Sequence, residues 1–217
     1  MNLHSASDRH LSKAESRKSE KRGRITDAAV AVFAERGFHA ARVSDIARRA
    51  GVADGTIYLY FKNKEDLLLS IFEDQMDLLR SGLDETLQGV DDPLERIRRF
   101  ATYHFRMVRD HRNVAEVLQV ELRLSTKFIK DYRPQRLWDY LGVFAQCVRE
   151  GQEQGLIRPE VVPFSTMWAF FGALDQIGMQ WVLARNKDKF NLDQAALDVA
   201  EIFIRGIAVE PNPSHSQ

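Results

Sequence analysis

Cysteine is almost missing from this chain: Cys147 is the only one among 217 residues. That excludes a disulfide framework and a thiolate metal cluster. No uninterrupted apolar run approaches the roughly 18 residues that a membrane span needs. The N-terminus is polar and has no apolar centre of the secretory type. A soluble cytoplasmic protein with no membrane partner is therefore expected. Sustained apolar–polar alternation and Asn-Gly hairpin signals are lacking, which argues against strands. P-loop, nucleophile-elbow and dinucleotide fingerprints are lacking too, so no catalytic residue, metal or cofactor is assigned and an enzyme is not expected. His104 has no second histidine at i+3 or i+4. It reads as a hydrogen-bonded core side chain rather than a metal ligand.

The formal net charge of zero hides an asymmetry. Residues 1–64 hold 13 Lys and Arg against 7 Asp and Glu, a net +6, and residues 65–217 hold 18 against 24, a net −6. A basic head on an acidic body suits a protein that meets a polyanion with one end only.

What the chain does have is helical periodicity. Residues 1–20 are polar and charged and are expected to form a disordered basic arm. Ile25, Ala28, Ala29, Val32 and Phe33 then follow i, i+3, i+4 spacing, the mark of an amphipathic first helix. Gly37 suits its end. A second helix starts near Ser44, and Asp54 is placed to cap a third. Asn63 precedes a long helix carrying Leu67, Leu68, Ile71, Phe72, Met76, Leu79 and Leu83. Asp92, Pro93 and Glu95 read as a capping box with proline in the first turn. Further helices are expected over about 93–109, 113–123, 126–154 (disturbed near Pro134), 163–186 and 192–208. The organisation predicted is an arm over 1–20, a small helical domain over 21–68, a larger helical domain over 69–210, and a tail over 211–217.

The stretch Val43 to Phe61 is the most specific signal. Ala47 is small where two helices approach, Gly51 can take positive φ in the turn, and Ile57 with Phe61 anchors the underside of the second helix. Val43, Ile46 and Ala50 complete the inward face. This is the spacing of a helix-turn-helix, whose second helix lies in the major groove of DNA. Its outward residues are then Asp54, Gly55, Thr56, Tyr58, Leu59 and Tyr60. Gly55 lets backbone approach the duplex, Thr56 can meet a base edge or phosphate, and tyrosine hydroxyls suit phosphates. Ser44 and Lys64, each at a helix start, can clamp the backbone on either side. The plainer reading of Tyr58 and Tyr60 is of half-buried aromatics.

The run from Ile46 to Leu69, with Ala28 to Phe38 before it, resembles the head of the TetR family of regulators. That resemblance implies an all-α fold of about nine helices, a three-helix DNA-binding head and a helical body for ligand binding and dimerisation. It also implies a homodimer on a double-stranded, palindromic operator, with DNA contacts at Ser44, Ala53, Gly55, Thr56, Tyr58, Tyr60 and Lys64. Asp54 departs from members that carry a basic or hydroxyl residue there. The stretches His104-Phe105, Asn113 to Ala115, Gln119 to Arg123, Phe171 to Asp175 and Trp181-Val182 resemble a subset of the family. These are the FadR-type regulators of fatty acid degradation, which respond to long-chain acyl-CoA.

An acyl-CoA site needs an apolar tunnel and cations for phosphates. Phe105, Val108, Val117, Leu118 and the aromatic-rich helix with Phe171 are candidates for the tunnel, and Arg106, Arg109, Arg112 and Arg123 for the phosphates. Gln119, Glu121 and Asp175 read equally as ligand contacts or as satisfied core polar groups. A drug or aromatic metabolite is the alternative effector. The last two helices carry apolar stripes, Phe164, Met167, Trp168, Phe171, Leu174, Gly178 and Trp181 on one and Leu197, Ala200, Phe203, Ile204 and Ile207 on the other. A dimer surface is expected there, although such stripes are more often core than interface.

Overall fold

The computed structural model describes the backbone of residues 4–122, 133–184 and 190–210, with side chains from residue 15 onward. Arg123 and the 211–217 tail lie outside the described residues. The described residues form nine α-helices: α1 His4–Arg36, α2 Val43–Ala50, α3 Asp54–Ile57, α4 Lys64–Leu87, α5 Pro93–Asp110, α6 Arg112–Glu116, α7 Gln135–Glu153, α8 Pro163–Leu183 and α9 Leu192–Ile207. A π-helical turn, Val117–Glu121, continues directly from α6. Among them there is no strand, only an isolated antiparallel bridge between Ile157 and Ala208 that ties the end of α9 to the α7–α8 loop.

The apolar spacing explains which faces are inside. Ile25, Ala28, Ala29, Val32 and Phe33 of α1 are all buried, and they join one core that continues to Ile207 in α9. The helix start signals act as predicted at Asn63, whose side chain accepts the Asp66 N–H at 2.8 Å. Asn191 does the same for α9, accepting from Asp193 and Gln194. Each such cap is worth about 1 kcal/mol.

Four local expectations need correction. The segment 1–20, expected as a disordered arm, continues α1 back to His4. It contains no glycine or proline, and its Lys, Arg, Glu and Ala are good helix formers, so the helix propagates outward from its buried part although residues 15–20 are exposed. Asp54 does not cap α3: Ala53 holds the N-cap position, and Asp54 lies in the first turn. Asp92 caps α5 through the Leu94 N–H at 2.9 Å, but Glu95 does not close a box, because its carboxylate meets Arg99 Nε at 3.0 Å one turn on. The helix expected over 113–123 is α-helical only to Glu116 before it widens into the π turn.

α4 is the element that joins head to body. Near its start it buries Leu67, Leu68 and Ile71; further on it buries Met76, Leu79, Leu83 and Leu87. Arg22 of α1 clasps it, donating to Asp74 at 2.7 Å and to Ser70 while lying over the Phe61 ring. These contacts tie α1 of the head to α4.

Candidate DNA interface and ligand pocket

In the head, α2 and α3 meet through Gly51, whose φ of 66° is the left-handed conformation that only glycine adopts without strain. Its neighbour Val52 donates to Ala47 O at 3.0 Å, and Ala47 is fully buried where the helices approach. α3 is a single turn, and backbone bonds from Tyr60 and Phe61 to Ile57 O carry its curvature on to Phe61. Ile57 and Phe61 are buried beneath it.

The outward face holds the predicted residues. Ala53, Asp54 and Gly55 are exposed, and Ser44 and Thr56 are half-buried. Tyr58 is 57% exposed and Leu59 79% exposed, which leaves both free to meet a partner. Tyr60 packs its ring partly on the core, so only part of it faces outward.

Lys64 is placed differently from a free surface cation. Its ammonium donates to the carbonyls of Phe38 at 2.6 Å, His39 at 3.2 Å and Ala41 at 3.0 Å, and it lies 4.5 Å from the Phe38 ring centroid. An ammonium has three protons, and all three have acceptors here. Lys64 thus fastens the 37–42 loop that leads into α2. The charges near α2 are also balanced: Asp45 bridges Arg36 at 2.7 Å and Arg48 at 3.0 Å. Arg42, the residue before α2, and Lys62, just before α4, are exposed. The sequence reading passed over both because it weighed the recognition helix and not its flanks.

The body contains an apolar cavity of about 170 Å³ between α4, α5, α6 with its π turn, α7 and α8. α4 supplies Phe72, Gln75, Met76 and Leu79, and α5 with the residue that caps its end supplies His104, Met107, Val108 and His111. Both sets follow i, i+3, i+4, i+7, one helical face each. Val114, Ala115, Leu118, Gln119 and Leu122 line it from the next segment, with Leu137 and Tyr140 from α7 and Phe171 and Asp175 from α8. Of the lining residues His111 is exposed and Gln75 half-buried, whereas Tyr140 is 1% exposed.

Of the predicted ligand residues, Val108, Leu118, Gln119, Phe171 and Asp175 line this cavity, whereas Val117 is buried in the core beside it. Phe105 does not: it is fully buried in the core, about 100° around α5 from His104. Arg106 is exposed, with its guanidinium 5.3 Å from the Tyr103 ring centroid. Arg109 pairs with Asp193 of α9 at 2.8 Å. Arg112 turns inward and donates to the Val182 carbonyl at 3.0 Å. Arg123 lies outside the described residues. The helical face that carries His104 and His111 is not the face that carries arginines 106 and 109.

His104 is the polar centre of the cavity wall. Its Nδ1 lies 3.0 Å from Tyr140 Oη, and its Nε2 is buried without a hydrogen-bond partner. Burial pushes its imidazole down to about 4, so the ring is neutral at physiological pH. Burial also pushes the Tyr140 hydroxyl well above its ordinary range. Gln119 donates to the Asp175 carbonyl at 3.4 Å, and its Oε1 is buried without a partner. Gly178 makes this approach possible, since a Cβ there would come within 2.8 Å of the Gln119 amide nitrogen. Among the described residues no cluster of His, Cys, Asp and Glu could hold a metal. No described helix is long and apolar enough to cross a membrane.

A helix-turn-helix head joined by one long helix to a helical body with an apolar cavity defines a ligand-responsive DNA-binding regulator. Residues 25–71 match the family described as bacterial regulatory proteins, tetR family, and residues 72–206 match the C-terminal region of YsiA-like proteins. The chain is 36% identical over 190 residues to the fatty acid metabolism regulator protein of Bacillus subtilis, covering 88% of this chain and 97% of that one. The chain belongs to the TetR family of transcriptional regulators. Among solved structures it is similar to FadR from Bacillus halodurans, a fatty acid degradation regulator, with a TM-score of 0.79 and 36% identity over 86% of this chain and 95% of that one. It is equally similar to FadR from Bacillus subtilis in complex with stearoyl-CoA, with a TM-score of 0.78 and 36% identity over 85% and 98% of the two chains.

Proposed function

We propose that this protein is a repressor of fatty acid degradation genes, released from its operator by long-chain acyl-CoA. The observation that carries the reading is the apolar cavity built against α4, the same helix that bears the head. The similarity to a regulator solved with stearoyl-CoA supplies the ligand class. Gln119, Phe171 and Asp175 contact the effector in this reading, and Phe72, Met76 and Leu79 pass its presence to α4. Ser44, Ala53, Gly55, Thr56, Tyr58 and Tyr60 face DNA, with Lys64 holding the loop in front of α2.

The operator is palindromic and the protein a homodimer, because one small head has little phosphate-binding area and two-fold sites call for two-fold proteins. Support for the surface comes from the outer face of α8 and α9. Ile202, which the predicted stripes did not include, is 68% exposed in the groove between α8 and α9, and Phe164 and Leu197 of those stripes are 57% and 52% exposed. Met167, Leu174, Ala200 and Ile204, from the same predicted stripes, are buried within the chain. The stripes thus divide between core and a surface suited to a second copy. Ligand-free heads then reach major-groove half-sites about one turn apart, and a filled cavity favours a spacing that does not fit. A shift from mostly bound to mostly released requires a differential affinity of about 5 kcal/mol across the dimer.

Fluorescence anisotropy of a promoter fragment, titrated with stearoyl-CoA, free CoA and an unrelated aromatic drug, tests this. Release by stearoyl-CoA alone is expected. Release by the drug with no response to stearoyl-CoA would assign the cavity to a different apolar ligand.

A further inference from the structure

We infer that Glu121 is the positioning residue through which the cavity controls the head, by holding the backbone N–H of Phe38. Its carboxylate Oε2 accepts that N–H at 2.9 Å, a body-to-head hydrogen bond across 83 residues of sequence. Its other oxygen lies beside Gly37, the left-handed residue that follows α1. Phe38 opens the 37–42 loop, and Lys64 grips the carbonyls of that same loop at Phe38, His39 and Ala41. The loop ends at α2, the first helix of the DNA-reading pair. A displacement of Glu121 therefore acts on the placement of α2 without passing through α4.

The other end of this connection is the cavity. Glu121 is the last residue of the π turn Val117–Glu121. Gln119 in that turn, Leu118 beside it and Leu122 just after it all line the cavity. π turns are rare, are less tightly bonded than α-helix, and recur at functional sites. A ligand that presses on Leu118 or Leu122 moves a segment already off its α-helical register. The Phe38 bond is charge-assisted, so it is both strong and directional. Filling the cavity thus pulls the carboxylate off the loop, and the head loses a charge-assisted contact with the body.

This rests on the reading that cavity occupancy sets operator affinity, but not on the identity of the ligand. Ala115 is half-buried and lines the cavity. Ala115→Phe fills it without any effector. Operator binding is measured for Ala115→Phe in the native, Glu121→Gln and Glu121→Ala backgrounds, alongside the amide resonance of Phe38. We expect Ala115→Phe to weaken operator binding about tenfold in the native background, within the usual range of allosteric coupling. The same factor should fall below about threefold in the Glu121→Ala background and be largely kept in Glu121→Gln, whose amide oxygen still accepts the Phe38 N–H. The Phe38 resonance should shift on filling only where position 121 is Glu or Gln. Equal weakening in all three backgrounds would overturn the inference. So would a folded Ala115→Phe protein with unchanged operator binding and an unmoved Phe38 resonance. If Ala115→Phe acts as expected while stearoyl-CoA does nothing, the latch stands and the acyl-CoA assignment falls.

Discussion

Two side chains show how single residues set behaviour here. His104 is neutral when folded because burial lowers its pKa to about 4, whereas the unfolded chain takes up a proton from about pH 6.5 downward. Its contribution to stability is complete above pH 6.5 and is lost as pH falls toward 4, about 3 kcal/mol in all. Urea unfolding between pH 7 and 4 should show this loss, and His104→Gln, which can still bond Tyr140 Oη but does not titrate, should flatten it. Lys64 is the second case. Replacing it with Met strands three carbonyls of the 37–42 loop, at a cost of about 1–2 kcal/mol because they are only partly buried. We expect Lys64→Met to lower the unfolding midpoint and weaken operator binding while leaving the salt dependence of binding unchanged. A slope shallower by about one would show instead that the ammonium reaches a phosphate.

The elements were legible to different degrees, for physical reasons. α4, with its apolar stripe, began just after Asn63 as expected, and α9 began at Leu192, at the expected start of its stripe, with Asn191 as its cap. The turn between α2 and α3 was legible because Gly51 is required there: its φ is 66°. Gly51→Ala should destabilise the head by about 1–2 kcal/mol. A Cβ at that position meets nothing within 4 Å, so the cost is conformational rather than steric. Circular dichroism melting, with operator binding measured well below the melting point, separates lost stability from lost recognition. The π turn was not legible, since Val117 to Glu121 carry no residue that forbids an α-helix. Packing on both sides decides it: the Gln119 amide approaches α8 over Gly178, and Glu121 reaches Phe38.

At the scale of the whole molecule, the core runs without interruption from α1 to α9, so head and body move as connected parts. The cavity meets the head along α4, which lines the one and carries the other, through the packing of α1 on α6 and the π turn, and at the Glu121 contact. The uncovered face of α8 and α9 is where assembly is expected. Ile202→Asp, at a position 68% exposed, should leave the fold of each chain intact and yield a monomer by sedimentation. Operator binding should fall at least tenfold with it, because two linked heads gain from effective concentration and one head does not. A dimer that persists in this variant would move the interface elsewhere.

The amino-acid sequence by itself determined the all-α class and the helix-turn-helix with its outward residues, and it picked out Val108, Leu118 and Phe171 as apolar wall candidates while leaving Gln119 and Asp175 open between wall and core. These depend on local spacing, on glycine's freedom at one turn, and on residue types read along a single helix. The tertiary structure alone decided which face of α5 meets the cavity, turning His104 inward and Arg106 and Arg109 away from it. It also decided that Lys64 and Glu121 act on one loop from opposite sides. An ion or amide finds its partner by where distant helices come to rest, and that is set by the packing of the whole core rather than by neighbours in the chain.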